Sequence, residues 1–196
     1  MALDAYRAEK TEHPLAEIRA KAVDILERKV PKQGLSSDDP SFLEMTGYST
    51  TSLTKWWDDH PVGTKGASLT TCNAFVGWVA KYLGAKKLLS RGLLQLDWAD
   101  KDVKGSWIPV DPTGENRPGP GDFYAAPYID KKGNIQKFGH VGVVHSFDGS
   151  AWTTVDSGQG GRDALKDFIK WRSRPYDPAK VTGWVDIERY FEPPTP

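Results

Sequence analysis

The stretch from Phe138 to Phe147 constrains the fold more than any other part of this 196-residue chain. It reads Phe-Gly-His-Val-Gly-Val-Val-His-Ser-Phe, and with no breaker after Gly142 its valines predict a buried β-strand. Alternation puts His140, Gly142 and Val144 on one face and Val141, Val143 and His145 on the other. Gly139 and Gly142 leave room for something to approach the imidazole of His140 closely. Asp148-Gly149 is a hairpin turn signal, and Ala151 to Asp156 is the returning strand. If the two strands pair, Asp156 and His140 lie at the same open end. Asp156 can then meet the ring nitrogen of His140 that does not face a thiol.

That thiol is the only cysteine in the chain, Cys72. It stands at the entrance of a predicted helix, in which Phe75, Val76, Val79, Tyr82 and Leu83 recur at three- and four-residue steps to form one apolar stripe. Thr70 or Thr71 can cap the start, and Gly84 supplies a left-handed stop. In the first turn, unpaired N–H groups and the positive end of the helix dipole favour a thiolate.

The rest of the chain supplies helical cover and further strands. Leu15 to about Val30 reads as an amphipathic helix with Leu15, Ile18, Ala22, Ile25 and Leu26 on one face. Lys32 to Pro40 reads as a polar linker, and Thr51 to Trp57 as a short helix. Short apolar pieces follow Gly84, at 86–89 and 93–96. Residues 97–118 read mostly as loop, pinned to the body by Trp107 to Val110. Pro118 to Asp122 marks a tight turn into a strand, and 131–134 a hairpin loop. Strands are expected over 168–172 and 181–185, a short helical or edge piece over 186–191, and a frayed end over 193–196.

Composition excludes several classes. Twenty-six basic residues balance 26 acidic ones, so no nucleic-acid or anionic-membrane partner is expected. One cysteine cannot form an internal disulfide, which excludes a disulfide-stapled scaffold. The first residues lack a basic start followed by an apolar run, so no secretory signal is expected, and no window approaches a membrane span. No Cys/His cluster has metal-ligand spacing, so neither zinc nor another cofactor is expected. Of eight tryptophans, Trp56, Trp57 and Trp107 are candidates for a cleft wall, with core packing the competing role.

Three motifs in this order carry a resemblance: Cys72-Asn73-Ala74-Phe75-Val76 opening a helix, Pro120-Gly121-Asp122 at a turn, and Gly139-His140-Val141-Gly142-Val143-Val144 on a strand. Together they resemble the NlpC/P60 and CHAP cysteine hydrolases over about residues 63–182. The resemblance implies an α+β, papain-like fold, with the nucleophile helix packed on an antiparallel sheet beneath an N-terminal helical layer. Residues 1–62 are then a helical segment integral to the domain, and 63–196 the catalytic domain. Cys72 is carried over as nucleophile and His140 as general base. Asp156 falls at the third position, which varies in the superfamily. The backbone N–H of Cys72, with Asn73 and Gln159, is a candidate for oxyanion or substrate contacts, while Gly139 and Asp122 are structural neighbours of the site. The family's usual upstream tyrosine is missing, which leaves the second oxyanion donor open. His145 on the opposite strand face and His60 in a loop are not expected to be catalytic.

The superfamily mostly cuts amide bonds in peptidoglycan stem peptides, and it includes type VI secretion effectors without signal peptides. The expected function is therefore an amidase or endopeptidase acting on such stems. It would be made in the bacterial cytoplasm and delivered by a dedicated apparatus, with an immunity protein or a secretion component as possible partners. The competing reading is a thiol hydrolase, deamidase or acyltransferase acting on protein or lipid, which the same Cys–His pair would serve.

Overall fold

A computed structural model describes residues 17–61, 71–85, 105–129, 135–161 and 165–191. Seven strands form one antiparallel sheet in the order β1-β6-β5-β4-β3-β7-β2. They are β1 (Leu35–Ser36), β2 (Trp107–Pro109), β3 (Phe123–Ile129), β4 (Ile135–Phe147), β5 (Ala151–Asp156), β6 (Phe168–Pro175) and β7 (Gly183–Val185). The helices are α1 (Glu17–Lys29), α2 (Pro40–Thr46), α3 (Thr50–Asp59), α4 (Thr71–Tyr82) and α5 (Ile187–Phe191). The class is α+β. Among the described residues, no helix is long and apolar enough to cross a membrane.

The strand alternation read from the sequence becomes two differently used sheet faces. Phe123, Val141, Val143, Val155 and Ile169 face a helical layer and share one core with Ile25 and Leu26 of α1 and Phe75, Val76 and Val79 of α4. Each of these side chains is at most 1% exposed, and burial of a group that size stabilises by roughly 1.5–3 kcal/mol. Since α1 and α4 bury their stripes in the same core, the N-terminal helix packs as part of the same body as the sheet. On the opposite face lies a smaller cluster of Tyr124, Val144, Trp152, Val181 and Trp184.

Strand lengths create the opening on which the site is built. β4 has 13 residues and β5 only six, and their pairing ends at Val143 opposite Val155. His140 therefore pairs with Ala126 of β3 on one side and lies beyond the end of β5 on the other. A bulge between Val144 and Ser146 interrupts the hairpin near its turn, where Gly149 takes φ +94°. Gly121, at φ +89°, turns the chain into β3 so tightly that a Cβ there would stand 2.5 Å from Ile187 Cδ1 and 3.0 Å from Ala22 Cβ.

Several details depart from the sequence reading. Tyr82 lies off the buried stripe at 42% exposure, and Gly77 and Ala80 are buried instead. The segment read as a linker contains β1 and leads into α2, which Asp39 caps and Pro40 opens. Trp56, Trp57 and Trp107 pack in or against the main core, and none of the three lines the cleft beside His140. Leu15, Thr70, the pieces at 86–96, the 131–134 loop and the 193–196 end lie outside the described residues.

Candidate active site

Helix α4 begins at Thr71, which is helical, buried and held by its hydroxyl donating to Asp167 Oδ2 at 2.5 Å. The other oxygen of Asp167 accepts from the backbone N–H groups of Gly160 (2.9 Å) and Phe168 (2.8 Å). One buried carboxylate thus ties the start of α4 to the loop that leaves β5. Cys72, the next residue, is half-buried and packs on the edge of the main core. Gly158 of that loop passes so close that a Cβ there would lie 3.5 Å from Cys72 Cβ and 3.8 Å from its backbone N.

His140 meets Cys72 in the gap beyond the end of β5. The His140 ring is within side-chain hydrogen-bonding reach of Cys72, and its Nε2 lies 3.1 Å from Asp156 Oδ1. The His140 side chain keeps 28% exposure, whereas Asp156 is completely buried.

A buried carboxylate needs its lone pairs satisfied, and Asp156 has a ring of donors. Tyr124 Oη donates to Oδ1 at 2.5 Å, and Thr154 Oγ1 donates to Oδ2 at 2.6 Å. Arg174 closes the ring, donating through Nη2 to Tyr124 Oη at 2.9 Å and through Nη1 to Thr154 Oγ1 at 3.1 Å and Asp156 Oδ2 at 3.4 Å. The carboxylate is therefore fixed in both position and orientation. Gly142 permits this arrangement, because a Cβ there would stand 2.1 Å from Asp156 Oδ1 and 2.7 Å from Tyr124 Cε1. The space that Gly142 leaves beside the imidazole is thus filled by the aspartate that binds it.

The electrostatics follow from these contacts. Burial disfavours the imidazolium, but the hydrogen bonds from Asp156 and Cys72 and the attraction of both outweigh it, raising His140 to about 9. Burial likewise works to raise the Asp156 pKa. The His140 hydrogen bond and charge, with the Thr154 and Tyr124 hydroxyls, hold it below the usual carboxylate range. Burial and the adjacent Asp156 charge push Tyr124 well above an ordinary phenol, so its hydroxyl remains a donor. At neutral pH the arrangement is a carboxylate, an imidazolium and a sulfur in series.

The other residues singled out in the sequence are placed differently. Asn73 is buried in the first turn of α4 and does not line the cleft beside His140. Gln159 does line it, and its carboxamide oxygen accepts from Arg172 Nη1. Gly139 is exposed on β4 next to His140. Asp122 braces the fold: it accepts from Gly119 N (2.7 Å), Ile187 N (3.1 Å) and Arg19 Nη1 (2.7 Å), none of them in the site. His145 pairs with Glu27 at 2.9 Å and packs edge-on to Trp171, and His60 stacks on Trp56.

Tyr124, Thr154, Asp167 and Arg174 escaped the sequence reading. Only the strand register brings Tyr124 and Arg174 to Asp156, across 32 and 18 residues. Two-residue alternation from Asp156 does point to Thr154. Asp167 carries no local signal.

An open cleft of about 550 Å³ borders the site, lined by His140, Asp156, Tyr124, Trp152, Gln159 and Arg172 among others. Cys72 is not among its lining residues. Its neighbours are, since Gln159 follows Gly158 and His140 carries the contact to the sulfur. No family model, curated protein or solved structure matches the chain.

Proposed function

We propose that this chain is a cysteine-dependent hydrolase of the NlpC/P60 and CHAP type, with a papain-like arrangement, that cleaves amide bonds in peptidoglycan stem peptides. The observation that carries the reading is the sole cysteine, in the first turn of a helix, hydrogen-bonded to an imidazole that a buried aspartate holds. A thiolate paired with an imidazolium is the nucleophilic form of such a pair. Cys72 Sγ attacks the carbonyl carbon, and the π electrons move onto oxygen. The oxyanion then collapses, expelling the amine, which takes the His140 proton as it leaves. Water, deprotonated by His140, attacks the thioester, and the carboxylic acid departs as the thiolate reforms. Asp156 stays ionised and fixes the ring through both steps. The choice of stem peptides rests on the motif resemblance.

The test is digestion of purified peptidoglycan, followed by mass analysis of the released fragments. Wild type should produce new fragments whose summed mass exceeds that of the uncut strand by one water per cut amide bond, and Cys72→Ala should produce none. Identical fragments from Cys72→Ala would remove Cys72 from the chemistry, and an undigested wall with wild type would remove peptidoglycan as substrate.

A further inference from the structure

The cleft beside His140 is lined by unequal charges. Alternation along β6 points Arg172 and Arg174 to the same face, opposite Thr154 and Trp152 of β5. Arg174 is committed to the Asp156 ring, and Lys180 pairs with Asp177 at 3.0 Å. Asp177 is itself used, its Oδ1 accepting from Ala179 N at 3.0 Å to cap a short 3-10 turn. Arg172 differs. Among the described residues it makes no ion pair, and its guanidinium donates only to the neutral carboxamide oxygen of Gln159. The two carboxylates that line the cleft therefore both have other cations, while Arg172 faces the space without one. Its partner Gln159 is one residue from Gly158, which lies against Cys72.

We propose that Arg172 is a substrate-reading residue that pairs with a free carboxylate near the scissile amide, so the preferred substrate is an acidic peptide. This rests on the hydrolase reading for the position of the scissile bond. In the free protein the Gln159 oxygen stands in for that carboxylate. An incoming carboxylate takes its place, because a guanidinium fork binds a carboxylate through two charge-assisted hydrogen bonds and a carboxamide oxygen through one neutral acceptor. Arg174, two residues along the strand, adds positive potential while remaining bound to Asp156. The carboxylate would lie where Arg172 now meets Gln159, in the cleft that His140 also lines.

The test uses two stem peptides that differ only in a free carboxylate or its carboxamide. Both are titrated into Cys72→Ala and into Cys72→Ala/Arg172→Gln by calorimetry, which needs no turnover. The acidic peptide should bind Cys72→Ala about 10-fold more tightly, and Arg172→Gln should bring the two within about 2-fold while leaving the carboxamide peptide unchanged. High salt should also narrow the difference. Equal binding of the two peptides to Cys72→Ala, or a preference that survives Arg172→Gln, overturns the proposal. Cleavage by the wild type is scored separately. A carboxylate preference in binding with neither peptide cut removes the hydrolase reading and keeps the subsite.

Discussion

Two buried aspartates make the most instructive comparison in this molecule. Asp122 and Asp156 are 1% and 0% exposed, and each is within hydrogen-bonding reach of an arginine. Around Asp122, Arg19 also bonds Asp186 at 3.0 Å, Glu188 and the carbonyl of Pro120 at 2.8 Å. That cluster ties α1 to the turn before β3 and to α5, and every contact in it is between structural elements. Burial dominates there despite Arg19, raising Asp122 to about 7. Around Asp156 the hydroxyl donors and the imidazolium prevail, and the carboxylate is held low. Burial and charge alone do not separate a brace from a carboxylate that holds an imidazole. The difference is where the network ends: one closes on the fold, the other reaches His140, which lines an open cleft and contacts the Cys72 sulfur.

Substitution should separate the two networks most sharply in activity. His140→Ala should lower kcat/KM by on the order of 10³-fold or more, close to the loss in Cys72→Ala, because residues acting as a unit are not additive. Asp122→Asn, compared at equal folded fraction, should stay within about 3-fold of wild type, since the residue touches no reacting group. A large loss of kcat in folded Asp122→Asn would break the comparison.

Within the Asp156 network, Asp156→Ala should cost about 10²-fold in kcat and Asp156→Asn less, because an amide oxygen still accepts from the imidazole. Steady-state kinetics of the two variants decide this, and wild-type activity in Asp156→Ala would remove the residue from the site. Gly142→Ala should act on the same network by pushing a Cβ into the carboxylate. Overpacking of this kind destabilises by about 1–3 kcal/mol, readable in urea unfolding, and activity should fall with it.

The sequence made the meeting of Cys72, His140 and Asp156 legible because each is announced locally. Cys72 opens an amphipathic helix, His140 sits on a valine-rich strand, and Asp156 ends the strand after an Asp-Gly turn. What holds Asp156 was not legible. Tyr124 and Arg174 come from β3 and β6, and their meeting depends on the order β6-β5-β4-β3, which alternation along single strands does not encode. The same limit explains Gly142. Its open side was readable, but that the aspartate at the end of the neighbouring strand fills it was not. Helix α2 was hidden because its seven residues present no long periodic stripe, although Asp39-Pro40 is a start signal.

The smallest effects lie in the pH dependence of stability, and they have distinct windows. Asp122 titrates higher folded than unfolded, so the folded state binds the extra proton and stability falls as pH rises from about 4 to about 7. Asp122→Asn should flatten that window. His140 is also raised, so its contribution is fully present below its unfolded value of 6.5 and is lost as pH rises through about 9. His140→Gln should flatten only this second window. Asp156 has the opposite sign: its contribution is present above 3.8 and is lost as pH falls through its lowered folded value. Denaturant unfolding across pH separates the three.

The most direct measurement is the titration of His140 itself, by NMR of the four histidine rings, with its signal assigned by loss in His140→Gln. His140 should stay protonated up to about pH 9 in the wild type, and that value should fall markedly in both Asp156→Asn and Cys72→Ala. A His140 that titrates near 6.5 in wild type and does not move in either variant would contradict this.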